Sequence, residues 1–288
     1  MLSNLIGGLA VGSLYGLIAV GVALVYRTTG LVNFAQGDLV AIGAYAYIFA
    51  TAWGGSPLVT MLVALLSGMA AGAVFFLIID VLLRHHQELL KVVATIALMT
   101  FIQGGARLLV TDRPQRAEAW LFGDSVVTLA GTSLPSNTLV ILAVLTAIAL
   151  GLYFWFSRTI MGKAMAAVAE DPLRAALSGI PVRKMLLLSW LVAGALAALA
   201  GVLISPATGV FPAMGGQVFL AATVGAVIGG LDSIFGAMLG GLLVGVVQTY
   251  AVISVGGAFR DLIVFGMLLA FLLFKPSGLF GSLRLRRV

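Results

Sequence analysis

The sequence predicts an all-α polytopic membrane protein, and three features of its composition indicate this class. Of the 288 residues, 61% are hydrophobic and 9% are charged, whereas soluble domains carry about 25% charged residues. Many windows reach the roughly 20 consecutive apolar residues that cross a bilayer core. The 36 glycines favour close packing of helices, and the alternating segments of a transmembrane barrel are absent from the sequence.

Five apolar segments occupy the first half of the chain, at about residues 4–26, 39–53, 58–83, 92–110 and 138–156. In the first, Gly8, Gly12 and Gly16 recur every four residues and predict a face that a neighbouring helix can approach closely. The second is short enough to be a re-entrant or broken helix. Near the end of the third, Asp80 and Arg84 have the spacing of a favourable i,i+4 ion pair.

Four further apolar segments follow a charged stretch, at about residues 186–204, 217–228, 234–255 and 258–274. The first of these stops at Ser205-Pro206, and the second is short and rich in glycine. In the third, Gly236 and Gly240 repeat the four-residue glycine spacing. We therefore expect one transmembrane domain over residues 1–288, with about eight to nine transmembrane or re-entrant helices packed through glycine.

The basic residues predict how these segments are oriented. If the N-terminus is outside and all nine segments cross, twelve of the 16 basic residues lie inside and four outside, which is the bias of the positive-inside rule. The C-terminus is then cytoplasmic, as is the charged stretch at residues 157–185. If a short segment only re-enters, this count changes, and the sequence leaves that alternative open. Basic residues spread between apolar segments also argue against nucleic-acid binding, despite the net charge of +6.

The sequence contains no constellation for catalysis, nucleotide binding or metal coordination. It has no cysteine and no GxxxxGK[ST] motif. Its two histidines, His85 and His86, are adjacent, so they point about 100° apart on a helix and cannot chelate one metal as an i,i+4 pair would. We therefore expect no enzymatic activity, no metal and no cofactor in this chain.

Two Gly-rich stretches in corresponding places of the two halves predict an inverted repeat. They are GLVNFAQGDLVAIGAY in the first half and GGQVFLAATVGAVIGGLDS in the second. Short or interrupted segments of this kind line the pathway in transporters built from inverted repeats. The candidate pathway residues are Asn33, Gln36, Asp38, Gln217 and Thr223. Close helix packing by glycine is the alternative interpretation, and Asp38 could equally cap a helix at the interface.

The whole chain has 26 charged residues, of which 16 are basic and 10 acidic. Seven of them lie in the stretch at about residues 157–185. Within it, Asp171 and Pro172 predict the N-cap and first residue of a short helix, and Gly179 predicts its end. An earlier helix is expected to begin near Gly162. Apolar residues at helical spacing predict a face that docks into a groove of a partner, an ordinary solvated loop being the alternative. These residues are Met161, Met165, Val168, Leu173 and Leu177.

Several blocks of the sequence resemble a known family. GKAMAAVAEDPLRAALSGIPVRKM, which begins at Gly162, resembles the cytoplasmic coupling loop of ABC-importer permeases of the branched-chain amino acid family. Further blocks that resemble the family are GLVNFAQGDLVAIGAY, AGALAALAGVL, AATVGAVIGGLDSIFGAMLGGLLVGVVQ and FKPSGLFG. Within the family the chain is more similar to the LivH-type subunit. Ala169 to Asp171 stands where the family has its Glu-Ala-Ala signature, and Asp232 stands where many members have glycine.

The resemblance implies the permease subunit of an ABC importer for branched-chain or other hydrophobic amino acids, or a related small solute. It implies a bacterial or archaeal plasma membrane, a second homologous permease, two cytoplasmic ATPase subunits that bind the ATP, and an extracytoplasmic binding protein. The ATPase-docking surface would then have at its core Gly162, Glu170, Asp171, Pro172 and Gly179. The alternative is a stand-alone channel or secondary transporter for a small polar solute such as urea.

Overall fold

The structure is a computed structural model that describes residues 2–110, 113–118, 120–121, 125–129, 132–275 and 277–281. Over these ranges it contains eleven α-helices and one two-stranded hairpin. Seven helices in the same ranges are long and apolar enough to cross a membrane. The predicted class, an all-α polytopic membrane protein, is confirmed.

The first half of the chain forms five helices and the hairpin. The helices are α1 (Leu2–Thr29), α2 (Gln36–Ala52), α3 (Pro57–Phe76), α4 (Glu88–Leu109) and α5 (Ser136–Arg158). Helix α3 continues as a π-helical turn, Leu77–Leu82. Before α5, strand β1 (Val126–Leu129) pairs in antiparallel fashion with β2 (Thr132–Pro135).

The second half forms six helices. They are α6 (Ile160–Glu170), α7 (Pro172–Leu177), α8 (Val182–Thr208), α9 (Met214–Gly229), α10 (Ile234–Val255) and α11 (Arg260–Phe274). A short 3-10 turn, Gly257–Phe259, leads into α11. Helix α8 continues past Pro206, where the sequence predicts an end. Proline cannot donate to the carbonyl oxygen of Val202, and the Ser205 hydroxyl donates to that oxygen instead, at 2.9 Å.

Contacts among helix ends define a cytoplasmic side. Met165 of α6 lines a small crevice together with Arg27 near the end of α1 and Ile234 at the start of α10. The end of α1, the start of α10 and the charged stretch therefore lie on one side of the membrane. The excess of basic residues makes this side cytoplasmic.

Other contacts define the opposite, outer side. The Tyr47 hydroxyl, near the end of α2, donates to the carbonyl oxygen of Glu118 at 3.1 Å. The Trp120 indole donates to the carbonyl oxygen of Pro57, the first residue of α3, at 2.7 Å. Helix α2 thus ends outside and α3 returns to the cytoplasm, with Glu118 contacting the end of α2 and Trp120 the start of α3.

The order long helix, short helix, long helix, peripheral helix occurs twice, as α1–α4 and as α8–α11, in opposite orientations. In each repeat the first helix packs on the third helix of the other repeat. Helix α1 contacts α10 where Gly12 meets Gly245, and α8 contacts α3 where Gly194 meets Gly68. A Cβ at Gly12 would lie 2.5 Å from the carbonyl oxygen of Leu242, so these backbones touch. The predicted glycine packing and inverted repeat are both seen in this arrangement.

Candidate functional site

The first cytoplasmic helix, α6, turns sharply away from α5. The Thr159 hydroxyl oxygen accepts a hydrogen bond from the Gly162 amide at 3.0 Å and caps the helix. Helix α6 therefore begins at Ile160, two residues before the predicted start. Gly162 is buried at the corner, where an added Cβ would lie 2.6 Å from the Cα of Phe156. The absence of a side chain at this position permits the turn.

Helix α7 begins as the sequence predicts. One carboxylate oxygen of Asp171, Oδ1, accepts from the amides of Leu173 and Arg174, each at 3.0 Å. The other oxygen, Oδ2, lies 3.0 Å from Nε of Arg174. Pro172 occupies the first helical position, where its missing N–H costs nothing. The predicted N-cap is confirmed.

The end of α7 also follows the prediction. Gly179 has a φ of +79°, which favours glycine. Its amide donates to the carbonyl oxygen of Ala176, and the Ile180 amide donates to that of Ala175, both at 3.0 Å. This pair of bonds is a Schellman motif. It gives a six-residue helix two defined ends.

The predicted apolar stripe divides into two surfaces. Met165 and Val168 are buried against the rest of the chain and hold α6 in place. Leu173 and Leu177 are 70% and 81% exposed. Ile160 and Met161, at the start of α6, are also exposed. We call these four exposed residues the cytoplasmic apolar face. Glu170 lies exposed between its two parts.

Helices α2 and α9 both begin near half the membrane depth. The Gln36 side chain, in the first turn of α2, donates to the carbonyl oxygen of Ala193 at 3.1 Å. Ala193 follows the start of α8 by eleven residues, which is about 16 Å along a helix, in a hydrocarbon core of about 30 Å. An added Cβ at Gly37 would lie 2.5 Å from the carbonyl oxygen of Gly215. We call this meeting of Gly37 and Gly215 the α2–α9 junction.

Three of the five predicted pathway residues are buried within the chain near this junction. Asn33, Gln36 and Asp38 are each at most 1% exposed. The Asn33 amide donates to Gln36 Oε1 at 3.2 Å, and the Gln103 amide of α4 donates to Asp38 Oδ1 at 3.0 Å. These bonds hold the start of α2 in place, so these side chains are engaged within the protein rather than facing open space.

The other two predicted residues lie on α9. Gln217 and its neighbour Gly216 are exposed. Phe34 is also exposed, and its ring lies 6.1 Å from that of Phe219, two residues after Gln217 on α9. Lipid tails cannot hydrogen-bond to an amide, so an exposed amide at this depth requires water or protein beside it. The Thr223 hydroxyl oxygen is buried and makes no hydrogen bond within the described part of the chain. We call Phe34, Gly216 and Gln217 the open patch of the junction.

Asp80 does not form the ion pair with Arg84 that the sequence predicts. Its carboxylate accepts from the Trp190 indole at 2.5 Å rather than pairing with Arg84, which donates to His85. Asp80 lies in the π-helical turn, whose wider winding takes residues four apart out of alignment. A lone acid within an apolar run is itself a signal of an internal partner.

A second polar cluster, formed by Tyr15, Gln248 and Arg260, was not predicted from the sequence. The Tyr15 hydroxyl donates to Gln248 Oε1 at 2.7 Å, and Arg260 Nη2 donates to the Tyr15 oxygen at 2.7 Å. These bonds join α1, α10 and α11. The isolated Gln248 within an apolar segment was the available signal. In the ranges that the structure describes, no group of three or more His, Cys, Asp or Glu side chains could hold a metal ion.

Comparisons with known proteins agree on one family over nearly the whole chain. Residues 4–272 match the family described as the permease component of the branched-chain amino acid transport system. The chain is 34% identical over 303 residues to the high-affinity branched-chain amino acid transport system permease protein BraD of Pseudomonas aeruginosa, covering 100% of this chain and 98% of that protein. It is 29% identical over 308 residues to the corresponding LivH protein of Escherichia coli K12, covering 100% and 97%. A LivH protein of Methanocaldococcus jannaschii is 29% identical over 290 residues, covering 96% and 91%.

Proposed function

The chain belongs to the branched-chain amino acid transport permease family, and from this membership we propose that it is the membrane-spanning subunit of an ABC importer for branched-chain or similar hydrophobic amino acids. It is a transport subunit rather than an enzyme, and its hydrophobic helices cross the plasma membrane several times. Separate ATPase subunits bind and hydrolyse the ATP.

The structural observation that supports docking of an ATPase is the cytoplasmic apolar face. Leu173 and Leu177 are large, apolar and mostly exposed, on a helix that is capped at both ends and outside the membrane-spanning part. Exposed apolar side chains on a fixed short helix are typical of an element that inserts into a groove of a partner. The partner is the ATPase subunit, which contacts α7 and the exposed start of α6.

The open patch of the junction supports a pathway between this chain and a second permease. Its residues lie at bilayer depth on the surface of the chain, where the amide of Gln217 cannot face lipid. A homologous permease that covers this surface would enclose a path with Gln217 on its wall. The start of α2, which forms part of this wall, is held in position by the buried side chains of Asn33, Gln36 and Asp38.

The names of the relatives support the substrate class. BraD and LivH are named as permeases for branched-chain amino acids. The open patch combines an aromatic ring at Phe34 with a single amide at Gln217, a mixture that suits an aliphatic side chain next to polar main-chain groups. A binding protein on the outer side delivers the amino acid, and closure of the ATPases on ATP reorients the helices.

The proposal is tested by removing the cytoplasmic apolar face without unfolding the loop. We expect the double variant Leu173→Ser, Leu177→Ser to lose at least tenfold in ATP-dependent uptake and in co-purification with the ATPase subunits. Both side chains are exposed, so the isolated permease should keep its wild-type thermal stability. Uptake is measured in proteoliposomes that contain the assembled complex and the binding protein.

Lys163→Ser is the matched control, because Lys163 is exposed on the neighbouring helix α6 and outside the apolar face. It should leave uptake and co-purification unchanged. Robust uptake by the purified chain alone, without ATPase subunits, would contradict the proposal and restore the stand-alone channel or secondary transporter.

A further inference from the structure

We infer that Trp190, Asp80 and Gln36 are positioning residues that transmit the movement of α7 to the α2–α9 junction through α8. None of the three lies on the cytoplasmic apolar face or on the open patch. The inference rests on the proposed function, because it supposes that an ATPase moves α7. It goes beyond that function by naming the contacts through which the movement travels.

The first step is the short connection between α7 and α8. The Ile180 amide bonds back into α7 at the carbonyl oxygen of Ala175, at 3.0 Å, and the Met185 amide bonds to the carbonyl oxygen of Pro181, at 3.2 Å. The connection between the two helices therefore contains no long unbonded segment. Met185, in the first turn of α8, is buried. A displacement of α7 must consequently displace the start of α8.

The second step joins α8 to α3. The Trp190 indole donates to Asp80 Oδ2 at 2.5 Å, and its ring meets Phe75 edge to face at 6.1 Å. The π-helical turn that carries Asp80 is held by a bond from the Leu83 amide to the carbonyl oxygen of Ile78. Above this contact the glycines Gly72 and Gly68 let the two backbones touch. Helices α3 and α8 therefore form one packed unit, to which the indole bond adds a polar contact at the cytoplasmic end.

The third step joins this unit to the junction. Gln36 bonds to Ala193, which lies three residues after Trp190 and so about one turn further along α8. Gln36 is fully buried and also accepts from Asn33. An added Cβ at Gly21 of α1 would lie 2.8 Å from the Gln36 amide nitrogen. The side chain thus has little free space, and a shift of α8 shifts the start of α2.

The experiment measures how many amino-acid molecules enter per ATP hydrolysed, using the assembled complex with its binding protein in proteoliposomes. Trp190→Phe removes the indole donor and keeps a ring. Gln36→Leu removes the amide with little change in size. We expect each to lower this ratio at least threefold, while ATPase activity and complex assembly stay near wild type. Asp80→Asn keeps an oxygen that can accept from the indole, and it should retain the wild-type ratio.

Ser189→Ala is the control, because Ser189 neighbours Trp190 and its buried hydroxyl donates to the carbonyl oxygen of Met185 in its own helix. It should leave the transport ratio unchanged. If Trp190→Phe and Gln36→Leu lower thermal stability and leave the ratio unchanged, the residues are structural and the inference is overturned. If Trp190→Phe does not fold, Asp80→Leu against Asp80→Asn gives the same comparison. A wild-type complex without ATP-dependent uptake would refute the proposed function itself, whatever the variants do.

Discussion

Asp171 both caps the short cytoplasmic helix α7 and contributes to its charge. It caps α7 through two backbone amides and also pairs with Arg174. If capping is its role, Asp171→Asn should retain most uptake, because asparagine is an equally good N-cap. Asp171→Ala should lose the cap, destabilise α7 by about 1 kcal/mol, and lower ATP-dependent uptake severalfold. Uptake by the assembled complex in proteoliposomes checks both variants.

Arg174→Gln separates the cap from the ion pair, because it removes the charge partner and leaves the Asp171 amide contacts in place. It should behave as wild type, since an exposed pair contributes little. Equal loss of uptake in the asparagine and alanine variants would show that the charge of Asp171, rather than its cap, is what the complex needs.

At this scale, contacts between sequence neighbours could be predicted and distant ones could not. The caps at Asp171 and Gly179 depend on residues within five positions, so the sequence alone was sufficient. The polar residues at Asn33, Gln36 and Asp38 were located correctly near a break. Their partners, at Ala193 and Gln103, come from other helices, and only the packing of those helices determines which side chains face inward.

At the scale of the helices, the α2–α9 junction depends on two glycines, Gly37 and Gly215, whose backbones are in direct contact. Gly215→Ala should lower uptake at least fivefold, because its Cβ would overlap the carbonyl group of Gly37 and push the two short helices apart. Gly266→Ala in α11 is the control, because an added Cβ there meets nothing within 4 Å and Gly266 lies outside both the junction and the open patch. Uptake and the yield of folded protein after purification check the pair.

Both substitutions replace a helical glycine by alanine, which has the higher helix propensity, so propensity cannot explain a loss of uptake at Gly215 alone. Equal behaviour of the two alanine variants would contradict the close approach at the junction.

Helix boundaries differed from expectation where polar groups replaced backbone bonds. Helix α2 begins at Gln36 rather than near Leu39, because the first turn is polar although it lies deep in the membrane. An apolar run marks only the part of a helix that faces lipid or core. Helix α8 continues past Pro206 because the Ser205 hydroxyl donates to the carbonyl oxygen of Val202, which the proline nitrogen cannot do. This hydrogen bond depends on the rotamer of the Ser205 side chain, which a sequence pattern does not show.

For the whole molecule, the orientation can be tested directly because the chain contains no cysteine. Ser56→Cys lies between α2 and α3, and Gln87→Cys lies between α3 and α4; both positions are exposed. In intact cells a membrane-impermeant maleimide should label position 56 and spare position 87. After the membrane is opened, both should react.

Labelling of position 87 in intact cells, with position 56 protected, would show that the chain has the opposite orientation. Protection of both positions in opened membranes would instead indicate that partners cover them, which dissociating the complex with detergent can check.

The large-scale plan could be predicted because it follows from composition and symmetry. Glycine spacing, two short segments in matching places and the excess of inside charge together predicted the repeat and the orientation. The open patch required the structure, since Gln217 and Gly216 face outward only because Gly215 faces Gly37.

The opposed directions of α2 and α9 have an electrical consequence. A helix carries about half a positive charge at its N-terminus and half a negative charge at its C-terminus. Since the two N-termini meet at half depth and the two C-termini face opposite surfaces, the membrane potential acts on the two helices with opposite sign. Equal and opposite reorientation of both helices would move almost no net charge across the field. Such a movement of the two helices would therefore be nearly insensitive to the membrane potential.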